Sequence, residues 1–152
     1  RMTERQLVAS TQLDAGRAVQ VCYQLATLAY PGGAPWRQAT FAADMALPTV
    51  HYDLLRWQDE LIGFVSRSTV LDETEITNIA IDPAYQRQGH ARWLLTACLA
   101  QLSAGSVFLE VRASNLAAQR LYQQCGFDQI ATRKEYYHDP EEDAWIMRKM
   151  IN

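Results

Sequence analysis

The stretch Asn78-Ile-Ala-Ile-Asp-Pro-Ala-Tyr-Gln-Arg-Gln-Gly-His-Ala-Arg92 decides the fold of this 152-residue chain. Its pattern predicts a strand, a short turn over Gln86–Ala91 and the beginning of a helix. The first N–H groups of a helix have no carbonyl partner, and the helix dipole adds about half a positive charge there. Gly89 and Ala91 are small enough to let a phosphate approach these groups. The turn is therefore predicted to bind a cofactor's diphosphate, although an ordinary helix beginning would give the same pattern.

The turn does not match two better-known phosphate sites. No Gly-Lys-Ser/Thr follows it, which excludes a P-loop, and the second glycine of a dinucleotide fingerprint is missing.

The chain is 49% apolar and 20% charged, which is typical of a soluble globular protein. At this length we expect one domain over residues 1–152.

Charge and cysteine content narrow the possible partners. A net charge of −3 argues against broad nucleic-acid binding and favours a basic protein partner. Cys22, Cys98 and Cys125 lack metal-site spacing and fall in predicted helices. We interpret them as reduced core thiols of a cytoplasmic protein, with no metal. No apolar run is long enough to cross a membrane, and the N-terminal residues do not resemble a signal peptide.

Hydrophobic periodicity predicts an α+β domain with a mixed sheet and helices on both faces. The predicted helices span residues 15–29, 36–47, 89–102 and 115–125. The predicted strands span residues 7–10, 50–57, 61–71, 74–82, 106–112, 127–137 and 144–150. The helix after residue 88 is a crossover, so strands 74–82 and 106–112 should be parallel or splayed neighbours.

Three blocks of sequence resemble the GNAT N-acetyltransferases. Gln86-Arg-Gln-Gly-His-Ala91 fits the acetyl-CoA motif of that family, Q/R-x-x-G-x-G/A. Leu109-Glu-Val-Arg-Ala-Ser-Asn-Leu-Ala-Ala-Gln-Arg-Leu-Tyr-Gln-Gln-Cys-Gly-Phe127 is similar to its next block. Arg133-Lys-Glu-Tyr-Tyr-His-Asp-Pro-Glu-Glu-Asp-Ala-Trp-Ile-Met147 narrows the resemblance to members that acetylate the N-terminal alanine of ribosomal proteins. The resemblance implies a GNAT-like, mostly antiparallel sheet with a splayed central strand pair.

The resemblance also implies where acetyl-CoA binds as co-substrate. Backbone groups of Ile79, Ala80 and Ile81 would pair with its pantetheine arm, and Asn115 and Tyr122 would contact it. The diphosphate would lie on Arg87, Gln88, Gly89, His90, Ala91 and Arg92. Many family members have a second glycine where this chain has Ala91. We expect His90 to be a solvent-exposed residue at the helix start, without a catalytic function.

Glu110 is the candidate general base. Period-two alternation places Phe108, Glu110 and Arg112 on one face of a strand, where a buried unpaired carboxylate would be costly. From the pattern alone, an ion pair with Arg112 is an equally good explanation. The resemblance favours a base that removes a proton from the attacking ammonium, directly or through water.

Tyr122 is the candidate general acid. Its spacing with Ala118, Leu121 and Cys125 is also that of a core residue on a helix. The resemblance implies that its phenol protonates the departing thiolate of CoA. Asn115 begins the same helix, and its residue type and position predict an N-cap.

The acceptor side is less defined by the sequence. Tyr136, Tyr137 and the acids Glu141, Glu142 and Asp143 surround the last hairpin, where they would line a peptide groove or form a solvated turn. The Pro/Gly-rich loop Tyr30–Trp36 is a second candidate wall. The resemblance favours a protein N-terminus as acceptor, attacked in a ternary complex. A small amine, a lysine, or a non-catalytic acetyl-CoA-binding module are the alternatives.

Overall fold

A computed structural model describes residues 4–152 as seven strands, four α-helices and two short 3₁₀ helices. The helices are α1 Ala15–Ala29, α2 Gln38–Met45, α3 His90–Leu99 and α4 Leu116–Gln124. The strands are β1 Gln6–Ala9, β2 Val50–Trp57, β3 Glu60–Val70, β4 Glu73–Ile81, β5 Gly105–Arg112, β6 Asp128–Tyr137 and β7 Glu142–Ile151. The 3₁₀ helices are Ser10–Gln12 and Pro83–Tyr85.

The sequence predicted every one of these strands and α-helices. The bounds of α1 and β2 are confirmed to the residue, and most other ends differ by one or two positions. Helix α2 is shorter than predicted and begins at Gln38, because Arg37 has an extended backbone. Helix α3 ends at Leu99, three residues before the predicted end.

The sheet has the strand order β1-β2-β3-β4-β5-β7-β6. Strands β4 and β5 are parallel, and their register holds only three pairs, from Glu73–Ser106 to Glu75–Phe108. Both strands continue beyond this short ladder, to Ile81 and Arg112. The predicted mixed, mostly antiparallel sheet is confirmed.

Contacts within the chain group it into two compact units. The first holds the residues up to Ser68 together with Thr77–Gln101, and the second holds Thr69–Ile76 and Leu102–Asn152. Strand β4 contributes residues to both units. The assignment of residues 1–152 to one domain stays a prediction.

The first unit has an aromatic core around Phe41, which is fully buried. The ring of Phe41 lies 5.1 Å from Trp36 and 6.1 Å from Phe64, and Phe64 stacks on Tyr52 at 5.9 Å. These aromatic contacts join α2 to β2 and β3. This packing therefore stabilises β2 and β3, the two strands that precede β4.

A buried carboxylate, Asp53, lies in the same unit and is fully paired. It accepts hydrogen bonds from Gln101 Nε2 at 2.7 Å and Arg67 Nη1 at 3.2 Å, and lies 2.8 Å from His51 Nε2. These partners satisfy a charge that would otherwise be costly to bury.

The second unit confirms the alternation that was predicted for β5. Val107, Leu109 and Val111 are buried, whereas Glu110 and Arg112 are half-buried. The strand begins at Gly105, whose φ of 114° is rarely adopted by residues with a side chain. A Cβ at this position would clash with the carbonyl oxygen of Asp72. Position 105 therefore requires glycine, because the start of β5 lies against the backbone of Asp72, the residue before β4.

The three cysteines are free thiols. Cys22 and Cys98 are buried and lie in α1 and α3, as predicted. Cys125 is half-buried and follows the last residue of α4 as its C-cap, so its predicted place within the helix was wrong. Among residues 4–152, no helix has the length and apolar character that crossing a membrane requires.

Gly105→Ala should be strongly destabilising. The side chain would meet a backbone oxygen and strain φ, so we expect the free energy of unfolding to fall by about 3 kcal/mol or more. Gly33→Ala is the matched control: its φ is 96°, but a Cβ there would meet no heavy atom within 4 Å. The control should lose only about 1 kcal/mol from the backbone strain. Urea unfolding of both variants measures the difference, and equal losses would contradict the close contact.

Candidate active site

The predicted phosphate-binding turn lies between β4 and α3. Asp82 accepts a hydrogen bond from the N–H of Ala84 at 2.9 Å and so caps the short 3₁₀ helix after β4. Arg87 and Gly89 both have positive φ, 64° and 83°. The first backbone bond of α3 joins Trp93 N to Gly89 O at 3.1 Å. In the described chain, no carbonyl accepts from the N–H groups of residues 87–92.

This turn can hold an anion. Among residues 4–152, several N–H groups at the positive end of the α3 dipole have no carbonyl partner, and Arg87 and Arg92 are exposed beside them. Left-handed residues in such a turn make a concave arrangement of N–H groups that suits phosphate oxygens. The residues present therefore fit a diphosphate group, as the motif predicted.

The expectation that His90 is solvent-exposed was wrong. Its side chain is 1% exposed and lies between the rings of Trp57 at 5.2 Å and Tyr85 at 6.4 Å. Its Nδ1 accepts a hydrogen bond from Arg5 Nε at 2.9 Å. Burial, followed by the positive charge of Arg5, lowers the pKa of His90 below its usual range. The spacing of α3 contained a sign of this burial that was not used, because His90 stands four residues before Leu94 and eight before Cys98, which are both buried.

Tyr30 contacts the backbone of β4 near the end of the strand. The hydroxyl of Tyr30 lies 3.3 Å from both the N and the O of Ile79, and donates to Asn78 Oδ1 at 3.1 Å. Gln86 Nε2 donates to the carbonyl of Ile81 at 3.0 Å. The loop that begins at Tyr30 therefore contacts the strand segment that the sequence assigned to the pantetheine arm.

Glu110 does not pair with Arg112. Its carboxylate accepts hydrogen bonds from Arg133 Nη1 at 3.4 Å and from the hydroxyl of Tyr136 at 3.3 Å. Arg112 instead contacts Glu142 at 3.3 Å. The ion pair predicted with Arg112 is thus replaced by one with Arg133, and neither partner of Glu110 on β6 was predicted.

Glu75 is a second carboxylate near Glu110 that the sequence analysis missed. Glu75 is in register with Phe108, and alternation places Glu110 on the same face as Phe108. Burial, followed by the negative charge of Glu110, raises the pKa of Glu75. The parallel register that joins these residues could not be deduced from either strand alone.

Tyr122 is buried, as the periodicity of α4 indicated. It is 7% exposed, and its ring contacts the edge of Phe127 at 6.0 Å. Asn115 is confirmed as the N-cap of α4, because its Oδ1 accepts from the N–H of Ala118 at 3.1 Å. Glu110, Asn115 and Tyr122 all belong to the second unit, whereas the turn and Ile79–Ile81 belong to the first.

Two acids of the last hairpin have structural contacts. Glu142 binds the N–H of Ser114 and the guanidinium of Arg112, and hydrogen bonding from Ser114 lowers its pKa. Asp143 accepts from the N–H of Glu135 at 2.9 Å. Glu141 is exposed. These contacts favour a structural function for Glu142 and Asp143.

The paired tyrosines form a small aromatic surface. The rings of Tyr136 and Tyr137 are 5.1 Å apart, and the guanidinium groups of Arg133 and Arg112 lie over them at 4.6 and 4.2 Å. Burial and the nearby charge of Glu110 raise the pKa of Tyr137 to about 12. Its phenol therefore stays neutral, and this surface offers aromatic faces beside the carboxylate of Glu110.

Comparison with known proteins identifies the family. The acetyltransferase (GNAT) family matches residues 19–127. The chain belongs to the GNAT acetyltransferases. It is 42% identical over 119 residues to the [ribosomal protein bS18]-alanine N-acetyltransferase of Haemophilus ducreyi, covering 74% of this chain and 81% of that protein. It is 37% identical over 145 residues to the N-alpha-acetyltransferase RimI of Mycobacterium tuberculosis, covering 93% and 89%.

A solved structure supports the same relationship. The ribosomal-protein-S18-alanine N-acetyltransferase from Escherichia coli superposes with a TM-score of 0.86 at 34% identity, over 98% of this chain and 95% of that one. The chain is therefore an acetyltransferase enzyme of this family, and its similarity extends well beyond the motif blocks.

Protonation of His90 should destabilise this acetyltransferase. A folded-state pKa below the unfolded value of 6.5 means that the unfolded chain binds the proton more readily. Stability is then fully present above pH 6.5 and is lost as the pH falls through the folded pKa. NMR of the imidazole should give a midpoint below 6.5. The free energy of unfolding of the wild type should fall between pH 7 and pH 5, and this fall should be smaller in His90→Asn. A midpoint at or above 6.5 would contradict the burial of this ring.

Proposed function

We propose that this enzyme transfers acetyl from acetyl-CoA to the α-amine of a protein N-terminus, and that the acceptor is the N-terminal alanine of a ribosomal protein. Enzymes of this family use acetyl-CoA as the acetyl donor. The assignment of acetyl-CoA to this chain as donor rests on the turn of residues 87–92, whose N–H groups have no carbonyl partner in the described chain. The choice of an N-terminal alanine as acceptor is supported by the similar proteins, which are named alanine N-acetyltransferases of a ribosomal protein.

The donor is proposed to bind through backbone groups of the first unit. The N–H groups of residues 87–92 would hold the diphosphate, with charge from Arg87 and Arg92. His90 would contribute its backbone N–H only, since its ring is buried. Ile79–Ile81 would pair with the pantetheine arm, where Tyr30 already contacts both backbone groups of Ile79.

Proton transfer is assigned to two residues of the second unit. Acetyl-CoA supplies a thioester whose carbonyl carbon is attacked by the amine, so that a C–N bond forms and the C–S bond breaks. Glu110 would accept the proton that the ammonium must lose before it can attack. Tyr122 would donate a proton to the leaving thiolate, and Asn115 would contact the arm beside it.

Direct attack is favoured over an acetyl-enzyme intermediate. A cysteine nucleophile acts as a thiolate and needs a lowered pKa and access to substrate. Cys22 and Cys98 have neither, because both are buried and burial raises the pKa of Cys22 to about 12. Burial also raises the pKa of Cys98.

The acceptor is proposed to approach the face of the sheet that carries Glu110. Glu75 and Glu110 give this face negative charge, and Tyr136 lies within hydrogen-bond distance of Glu110. Such a surface attracts an ammonium group and suits a basic protein. We also place the protein in the cytoplasm, in agreement with its free thiols.

A peptide panel tests the acceptor. Thiol release from acetyl-CoA should be fast with a peptide that begins with alanine, and should disappear when its α-amine is blocked. An N-blocked peptide that contains lysine, and a small polyamine, serve as controls for the two alternative acceptors. Acetylation of the N-blocked lysine peptide alone would overturn the proposal, as would CoA binding without thiol release with any peptide.

Glu110→Gln and Tyr122→Phe should each lower turnover at least about tenfold, because each removes a proton-transfer group. Binding of CoA, measured by titration calorimetry, should remain. Glu60→Gln and Tyr23→Phe are matched controls outside the assigned site and should keep wild-type turnover. Full activity in both site variants would remove the catalytic assignment.

A further inference from the structure

Arg5 contacts the phosphate-binding turn from the distant N-terminal end of the chain. Its Nη2 donates to the carbonyl of Gln88 at 3.0 Å, and its Nε donates to Nδ1 of His90 at 2.9 Å. The guanidinium also lies 5.6 Å from the ring centre of Trp57. Three contacts thus hold one half-buried side chain against two residues of the turn.

The contact with Gln88 fixes the orientation of the next N–H group. The peptide between Gln88 and Gly89 is trans, so its C=O and N–H point in opposite directions. Because Arg5 holds the carbonyl on its own side, the N–H of Gly89 must face away from Arg5. This N–H is one of the groups assigned to the diphosphate.

This peptide needs an external constraint. Gly89 has a φ of 83° and no side chain, so its backbone reorients at little cost. A Cβ at Gly89 would lie 3.5 Å from Arg5 Nη2, which shows how closely the guanidinium approaches. The contact with Arg5 therefore opposes a rotation that glycine itself permits.

His90 fixes Arg5 in turn. Its Nδ1 accepts a hydrogen bond, so the proton of the neutral ring is on Nε2. Nε2 is buried and has no hydrogen-bond partner in the described part of the chain. An unpaired buried donor is unfavourable, and the Arg5 contact and the packing against Trp57 and Tyr85 offset it.

We propose that Arg5 and His90 form a positioning pair, which holds the Gln88–Gly89 peptide so that the N–H of Gly89 faces the diphosphate of the cofactor. The inference rests on the proposed binding of acetyl-CoA at this turn. Neither side chain contacts the cofactor. Arg5 acts through the carbonyl of Gln88, and His90 acts through Arg5.

Arg5→Ala tests the pair. Without Arg5, the N–H of Gly89 is no longer held toward the charged diphosphate. CoA binding in titration calorimetry should therefore weaken about tenfold. Turnover at saturating acetyl-CoA should be unchanged. The kcat/KM for S-acetylpantetheine, which lacks the diphosphate, should also be unchanged. Arg17→Ala removes an equal charge from an exposed position of α1 and should bind CoA like the wild type.

Two substitutions of His90 separate positioning from packing. His90→Leu removes the acceptor for Arg5 and should weaken CoA binding as Arg5→Ala does. His90→Asn keeps an acceptor near the position of Nδ1 and should bind CoA within about threefold of the wild type. If Arg5→Ala does not fold, the difference between the two His90 variants decides the question.

Three results would overturn the inference: wild-type CoA affinity in Arg5→Ala, an equal loss of kcat/KM for S-acetylpantetheine, or equal CoA affinity in the two His90 variants. Each leaves the proposed function intact, because the wild type still binds CoA. Failure of the wild type to bind CoA would remove the proposed function and the inference together.

Discussion

The first backbone N–H groups of α3, which have no carbonyl partner in the described chain, are the constraint on which this structure depends. A helix cannot satisfy its own first donors, and burying them without partners would be costly. The chain leaves them at an exposed turn instead, with Arg87 and Gly89 in the left-handed region. Asp82 caps the short helix that precedes the turn, and Arg5 holds the carbonyl of Gln88. The protein's own contacts around the turn thus involve groups other than the N–H groups that are assigned to the ligand.

The proposed chemistry divides between two kinds of group. Donor binding is assigned to backbone N–H and C=O groups, which have no side-chain freedom to lose and whose positions follow from the end of β4 and the start of α3. Proton transfer is assigned to the side chains Glu110 and Tyr122, which have different surroundings. Glu110 is half-buried among Arg133 and Tyr136, whereas Tyr122 is buried against Phe127. The carboxylate therefore has polar partners on β6, whereas the phenol packs against an aromatic ring.

The sequence predicted what depends on local pattern. Helix α1, strand β2, the alternation of β5 and the Asn115 cap follow from periodicity and residue type within a few positions, and they agree with the structure. The exposure of His90 was wrongly predicted, and the contacts of Glu110 with β6 were missed. The contacts of both side chains involve residues that are distant in sequence, namely Arg5 and Trp57 for His90, and Arg133 and Tyr136 for Glu110. The burial of His90 was nevertheless indicated locally, because its position falls on the buried stripe of α3. Long-range contacts of this kind depend on strand register and side-chain packing, which no single segment determines.

The central claim is that backbone N–H groups of the α3 head bind the diphosphate of the acetyl donor. Amide NMR of the ¹⁵N-labelled enzyme tests it most directly, with CoA and pantetheine as alternative ligands. The account predicts that CoA shifts the amide resonances of Gly89, His90 and Ala91, and that pantetheine, which lacks the diphosphate, leaves them in place. Unchanged resonances at these three residues in saturating CoA would contradict it.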